Sequence, residues 1–197
     1  MNKKIVGLTG GIASGKSAAA EMFESAGAYI IDADVVARAV ADGAECKSAL
    51  KEQFPEAFCE GVLNRGYLRE LVFADGAKLR KLNAITHPLI CKEIKRLTDR
   101  AAFGVVMIVA PLLYESGLDK LASVVITVSC SESERIKRLT ARDSINETLA
   151  RKMISSQMSD AERENRADIV IRNGGSLAEL RAQVIRIYCE LTDKSGR

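Results

Sequence analysis

Between an apolar run, Ile5-Val6-Gly7-Leu8, and the alanine-rich stretch Ala18-Ala19-Ala20 lies Gly10-Gly11-Ile12-Ala13-Ser14-Gly15-Lys16-Ser17. The octapeptide fits G-x-x-x-x-G-K-S/T, and a strand before it with a helix after it is the setting this pattern requires. The residue types follow from the task of holding a polyphosphate. Main-chain N–H groups must turn inward around the anion, which needs glycine where φ is positive or backbone approaches closely. The helix that opens near Gly15 points its positive end at the same place. The nucleotide-binding set is therefore Gly10, Gly11, Ile12, Ala13, Ser14, Gly15, Lys16, Ser17 and Ala18. Lys16 reaches the β- and γ-phosphates of ATP and Ser17 offers its hydroxyl to Mg²⁺.

Working outward, Lys3–Leu8 reads as a buried strand, Ala18–Ser25 as a helix and Ala28–Ile31 as a second strand. Phe103–Ala110, Val124–Val128 and Ile169–Ile171 are further β-branched runs of the kind covered on both faces. Five such strands separated by helices predict an α/β fold of the P-loop kinase type: a five-stranded parallel sheet with helices on both faces. The intervening segment has no strong strand signal. It shows helical stretches at Val35–Val40, Ala44–Gln53, Tyr67–Phe73, Ala77–Ile85 and Leu89–Arg100, with Pro88 at a helix start and His87 just outside it. Ser131 with Glu134 caps a helix through Ala141, Asn146 caps one through Gln157, and Ser176 with Glu179 caps a last helix. The apolar face of that last helix is Leu177, Leu180, Val184, Ile187 and Leu191. The expected organisation is a nucleotide-binding core (1–34, 103–130 and 167–197), a helical acceptor-binding subdomain (35–102) and a lid (131–166).

Composition narrows the class. The chain has 197 residues, of which 47% are hydrophobic and 28% charged, so a packed core is affordable and disorder is excluded as the main state. A net charge of +3, 5% aromatic residues and no Trp argue against nucleic acid as a partner. The longest apolar run, around Val105–Pro111, is too short for a bilayer, and no secretory signal is read at the N-terminus. Five cysteines without a C-x-x-C pair point to a reducing, cytoplasmic setting and to small buried residues rather than disulfides or zinc. Oligomeric state is left open, with a monomer favoured.

P-loops serve switches, motors and kinases. No Asn-Lys-x-Asp motif for guanine is present, and the only Asp-x-x-Gly is Asp193–Gly196 at the far end. The run at 103–110 ends in Ala110-Pro111 rather than in the carboxylate of a motor ATPase. A kinase must bring an acceptor hydroxyl in line with the γ-phosphate. Asp32-Ala33-Asp34 closes the second strand at the end where open α/β sheets bind ligands, and strand alternation puts both carboxylates on one face. Asp34 is the favoured base, and Asp32 orients Mg²⁺-bound water or caps the next helix. Arg38, one turn on, pairs with Asp34 or touches substrate. Arg135, Arg138 and Arg142 share one helix face, and Arg142 followed by Arg138 is the expected phosphate contact. His87 either marks a helix start or contacts the acceptor, and Tyr114 and Glu115 either contact it or pack at a strand end. Two other readings stay open: a P-loop kinase for another small nucleotide or alcohol, and a nucleotide-gated binding protein without an acceptor.

The residues resemble the dephospho-coenzyme A kinase family over nearly the whole chain. The likeness rests on the opening Val6–Ser17, with Ala13 where the family usually has Gly, and on Ile31-Asp-Ala-Asp34 with Ala37-Arg38. It extends through Gly61-Val-Leu-Asn-Arg65, Leu68, Phe73, Leu82 and His87-Pro88 in the insert, and through Pro111-Leu-Leu-Tyr-Glu115. Arg138, Arg142-Asp143, Gln157, Ala167-Asp168 and Asn173-Gly174 complete it, while Ser123 stands where an acidic residue is usual. The resemblance implies ATP-dependent phosphorylation of the ribose 3′-hydroxyl of dephospho-CoA, giving CoA and ADP, the last step of coenzyme A synthesis. It makes Asp34 the base, lets Lys16 and Arg142 steady the γ-phosphate, and puts Asn173 near the adenine. Arg38, His87, Leu113, Tyr114 and Glu115 fall on the acceptor side.

Overall fold

The computed structural model describes residues 3–102 and 104–193. In chain order the elements are β1 (Lys4–Gly10), α1 (Lys16–Ser25), β2 (Tyr29–Asp32), α2 (Ala33–Asp42), α3 (Ala44–Gln53), β3 (Phe58–Cys59), β4 (Val62–Leu63) and α4 (Arg65–Ala74). There follow α5 (Gly76–Arg100), β5 (Val105–Val109), β6 (Val124–Ser129), α6 (Glu132–Asp143), α7 (Glu147–Ser155), α8 (Asp160–Arg166), β7 (Ile169–Arg172) and α9 (Leu177–Asp193). The chain divides into two compact units: everything up to Asp32 together with everything from Thr98, and Ala33–Leu97.

The first unit carries the sheet, in strand order β2-β5-β1-β6-β7, with every pairing parallel. This is the α/β P-loop kinase architecture expected from the five apolar runs. β5 is buried at all five positions, as a strand covered on both faces must be. One cover comes from α1 and α9, whose Ala19, Phe23, Leu180, Val184, Ile187 and Leu191 pack on Val6, Leu8, Met107 and Ile126. Leu177 is a correction: it opens α9 but is 69% exposed, and the buried apolar stripe starts at Leu180. The α9 start is a reciprocal capping box, Glu179 N–H on Ser176 Oγ at 3.3 Å and Ser176 N–H on Glu179 Oε2 at 2.7 Å. Ser131 Oγ accepts from Glu134 N–H and Asn146 Oδ1 from Leu149 N–H, so α6 and α7 begin where their caps indicate. Helix α8, capped by Ser159 Oγ on Glu162 N–H, had no reading of its own in the sequence. Phe103 and most of Asp193–Gly196, both named in the sequence reading, lie outside the described residues.

The second unit is helical around Cys46, Leu50, Phe54, Ala57, Leu68 and Val72. Two expectations are corrected here. First, a small antiparallel hairpin, β3–β4, sits where no strand was expected. Cys59 pairs with Val62, so Glu60 and Gly61 form a two-residue turn, and both have positive φ as a type I′ turn needs. Second, the helix expected to start at Pro88 starts at Gly76 instead, with His87 and Pro88 in its middle. Proline removes the N–H that would reach the Ala84 carbonyl. Leu82, Ile85 and Leu89 form a stripe at helical spacing across that defect and pack on the unit's core. Burial on both sides of the proline outweighs one lost hydrogen bond. Asp75 caps α5 by accepting from Ala77 N–H at 2.8 Å, and these backbone bonds hold its carboxyl below the usual range.

His87, the only histidine, is half-buried, and desolvation pushes its pKa below the ordinary imidazole value. The unfolded chain therefore binds the proton more readily, so this group's stabilisation is complete above the unfolded pKa and is lost as pH falls towards the folded one. Melting temperature is expected to drop between about pH 7.5 and about pH 5.5. The variant His87→Gln should flatten that slope, as read by thermal unfolding across the range. An unaltered slope would assign the drop to other groups.

Candidate active site

The site is built at the C-terminal ends of β1 and its neighbours. Residues Gly10–Ser17, Pro111, Arg138, Arg142 and Gln157 line a cleft of about 470 Å³. The sequence brings Lys16 and Ser17 to its floor as the first residues of α1, whose ladder begins with Ala19 N–H on the Gly15 carbonyl at 3.1 Å. The N–H groups of residues 16–18, Ala18 included, lie ahead of that ladder, at the positive end of the helix.

What orients the loop is the set of donors behind it. The Ile12 carbonyl accepts from Arg135 Nε at 2.8 Å. Arg138 Nη1 lies 3.4 Å from both the Ala13 and Ser14 carbonyls, and Asn173 Nδ2 donates to Ser14 O at 2.7 Å. In a trans peptide the C=O and the next N–H point oppositely. Tying the carbonyls of Ile12 and Ser14 outward thus turns the N–H groups of Ala13 and Gly15 toward the cleft. Gly11 is required by close approach, since a Cβ there would sit 2.6 Å from Arg135 Nη2. Ala13 has φ +60°, a left-handed conformation costing a non-glycine residue roughly 1–2 kcal/mol. The chain thus carries strain at the one loop position where the resemblance implies Gly and this sequence has Ala. Ser14 Oγ, buried in the same loop, has no hydrogen-bond partner among the described residues.

The three arginines of α6 have separated roles. Arg135 is 2% exposed and is part of the loop's support. Arg138 is half-buried and also donates to the Asn173 carbonyl at 3.1 Å. Arg142 is exposed on the cleft wall, in a two-point pair with Asp143 that raises its pKa further. Asn173 is 6% exposed, its amide engaged by the loop. Gln157, given in the sequence only through the family likeness, accepts the Ile12 N–H at 2.8 Å. The support role of Arg135 was not legible at all; its only signal was its place on the same helix face as Arg138 and Arg142.

A smaller cleft of about 160 Å³ adjoins Lys16 and Ser17 and is lined by Glu21, Glu24 and Asp32 as well. These hard oxygen donors suit Mg²⁺. Among the described residues no group of three acidic, His or Cys side chains could hold a metal ion, so such a cation would draw most ligands from phosphate and water. Asp32 and Asp34 do not follow strand alternation, which corrects the sequence argument. β2 ends at Asp32 and α2 begins at Ala33, so Asp34 lies exposed in the first turn of a helix that belongs to the second unit. Arg38 is exposed one turn later and His87 is half-buried in α5, both also in that unit.

The segment after β5 sorts differently from its expected role. Leu113 is fully buried, with Gly7 against it, and has no surface to offer an acceptor; Leu112 is the exposed neighbour. Tyr114 is 8% exposed, its buried hydroxyl has no hydrogen-bond partner among the described residues, and Arg166 stacks 4.0 Å from its ring centroid. Burial pushes the Tyr114 phenol up, with Arg166 opposing. Glu115 is exposed. Of the cysteines, Cys46 and Cys130 are buried with thiols pushed up by desolvation, whereas Cys59 and Cys189 are exposed, against expectation.

A glycine-rich anion cradle at the head of a helix, on a parallel sheet of this order with arginines over its mouth, defines a P-loop phosphotransferase of the nucleotide-kinase type. Residues 4–179 match the family model for dephospho-CoA kinase. The chain is 36% identical to the dephospho-CoA kinase of Fusobacterium nucleatum over 96% of its own length and 99% of that protein's. A solved structure from Thermus thermophilus superposes with a TM-score of 0.84 at 31% identity, covering 97% of this chain and 99% of that one. The dephospho-CoA kinase from Campylobacter jejuni gives 0.64 at 26%, over 96% and 97%. The chain belongs to the dephospho-CoA kinase family. No helix among the described residues is long and apolar enough to cross a membrane.

Proposed function

We propose that the chain transfers the γ-phosphoryl group of ATP to the ribose 3′-hydroxyl of dephospho-CoA, giving CoA and ADP. The observation that carries this is the inward-turned loop at Gly10–Ser17 in a chain that matches the family model over residues 4–179. One P–O bond, to the ADP oxygen, breaks and one, to the ribose oxygen, forms; Asp34 takes the hydroxyl proton. The amides of Ala13 and of residues 15–18 hold the phosphates, Lys16 and Arg142 meet the charge on the transferring group, and Arg138 keeps the loop and Asn173 in place beside the adenine side. Mg²⁺, when bound with ATP, neutralises phosphate charge, and Ser17 Oγ is its protein ligand.

The acceptor is long and mixed in character, and the helical unit suits it. A cleft of about 400 Å³ there is lined by Leu50, Leu68, Val72 and Phe73, with Arg65 and Arg69 among the apolar groups. Apolar walls match a pantetheine arm and guanidiniums match a diphosphate. Arg38, His87 and Glu115 are the remaining candidates for acceptor contact. ATP-dependent ADP release with a panel of acceptors tests the reading. Dephospho-CoA should accelerate release and yield CoA, while nucleoside monophosphates and shikimate should not. Acceleration by a nucleoside monophosphate instead would reassign the acceptor, and slow hydrolysis indifferent to every acceptor would replace the kinase by a nucleotide-gated binder.

A further inference from the structure

Two arginines in the sheet-bearing unit are almost completely buried, Arg135 and Arg163, each 2% exposed. They share one carboxylate. Asp160 Oδ2 takes Arg135 Nη1, and Asp160 Oδ1 accepts from Arg163 Nη1 at 2.9 Å. Arg163 is fixed from its other side by the Met158 carbonyl at 3.0 Å. Arg135 spends its Nε on the Ile12 carbonyl, and Gln157 accepts the N–H of the same residue. Ile12 is thus gripped at both main-chain polar atoms, and every grip traces to Arg135 or to residues 157–163. Apolar contacts follow the same line, with Ile12 and Ala13 packed on Ile136, Leu139 and Ala150.

Helix initiation does not explain Asp160, because α8 has its own cap in Ser159. Nor does charge balance explain it fully, since one carboxylate faces two guanidiniums, and the exposed Glu115 and the Tyr114 phenol act on Arg163 at longer range. What one shared carboxylate achieves is direction. A guanidinium is a rigid fork, and holding one edge fixes where its Nε points. Without that hold, a buried Arg135 has rotamers that leave the Ile12 carbonyl, and the peptide that turns the Ala13 N–H inward is free to flip.

We infer that Asp160 is a positioning residue for nucleotide binding, acting through Arg135 on the Ile12 peptide of the phosphate loop. The inference rests on the nucleotide-binding part of the function proposed above and is independent of the acceptor's identity. Residues 158–163 accordingly set ATP affinity from behind the loop, without lining the nucleotide cleft.

Calorimetric binding of Mg-ADP and Mg-ATP to the full chain tests it, with steady-state kinetics beside it. Asp160→Asn is expected to weaken nucleotide binding and raise the KM for ATP about tenfold, one decade being about 1.4 kcal/mol. The KM for the acceptor and the kcat at saturating ATP should stay within about twofold. Asp160→Glu should recover most of the affinity. Asp160→Asn combined with Arg135→Lys should bind no more weakly than the poorer single variant, since both act on one path. If Asp160→Asn does not fold, Arg163→Lys, which leaves Asp160 and Arg135 in place, should still weaken binding several-fold. Unchanged affinity in a folded Asp160→Asn chain, or full additivity with Arg135→Lys, would overturn the inference while leaving the kinase reading intact. A natural chain that bound no nucleotide would overturn both.

Discussion

Asp34→Asn is expected to lower turnover by about 10²–10⁴-fold, the usual contribution of a general base, while ATP affinity stays within a few fold. At about 1.36 kcal/mol per decade this is roughly 2.7–5.4 kcal/mol of barrier. Asn keeps the size and the hydrogen-bonding oxygen of Asp but cannot accept the ribose proton. Unfolding does not mimic the effect. Asp34 is exposed and sits in the first turn of α2, where losing its charge costs about 0.3–1 kcal/mol through the helix dipole. Steady-state ADP release with dephospho-CoA, together with calorimetric ATP binding and a melting curve, separates the cases. Turnover within a few fold of the natural chain would remove Asp34 from the role of base and turn attention to Asp32.

Gly15→Ala is expected to damage stability and nucleotide binding together. Gly15 has φ +98°, a conformation that costs a residue with a side chain about 1–3 kcal/mol. The added Cβ would also lie 1.9 Å from Asn173 Nδ2, so the amide has to leave. Its bond to the Ser14 carbonyl is then lost in a buried place, at about 1–3 kcal/mol. The sum of roughly 2–6 kcal/mol corresponds to a melting temperature lower by about 4–24 °C for a chain of this size. Differential scanning calorimetry reads this directly. Asn173→Ala in the Gly15→Ala background should cost little more, because its bond to the Ser14 carbonyl is already broken, whereas Asn173→Ala alone should cost about 1–3 kcal/mol. Full additivity of the two changes would mean that the strain alone accounts for the damage.

The relative legibility of these features has a physical cause. The strands Val105–Val109 and Val124–Ser129 and the loop Gly10–Ser17 were readable because each depends on a local pattern: a β-branched run, or glycines at fixed spacing before a helix. Caps at Ser131, Asn146 and Ser176 were readable for the same reason, since a cap acts over three residues. Pro88 misled because its effect on a helix is local whereas the stripe Leu82, Ile85 and Leu89 that overrides it acts through packing. The turn at Glu60-Gly61 was missed because its first residue adopts positive φ without being Asn, Asp or Gly.

Local chemistry in the chain by itself determined the anion cradle, the parallel sheet and the family, since each is written within a few neighbouring residues or in their order. Tertiary structure alone decided which charged side chains serve the cradle and how. Arg135, Arg138 and Arg142 are equivalent in spacing, yet one is buried behind the loop, one is tied to its carbonyls and one stands on the cleft wall. The difference comes from partners 25–123 residues away in sequence, Asp160, Asn173 and Ile12, whereas Arg142 pairs only with its neighbour Asp143 among the described residues. A side chain's role follows from the field and the donors around it, and those are assembled only when distant segments meet.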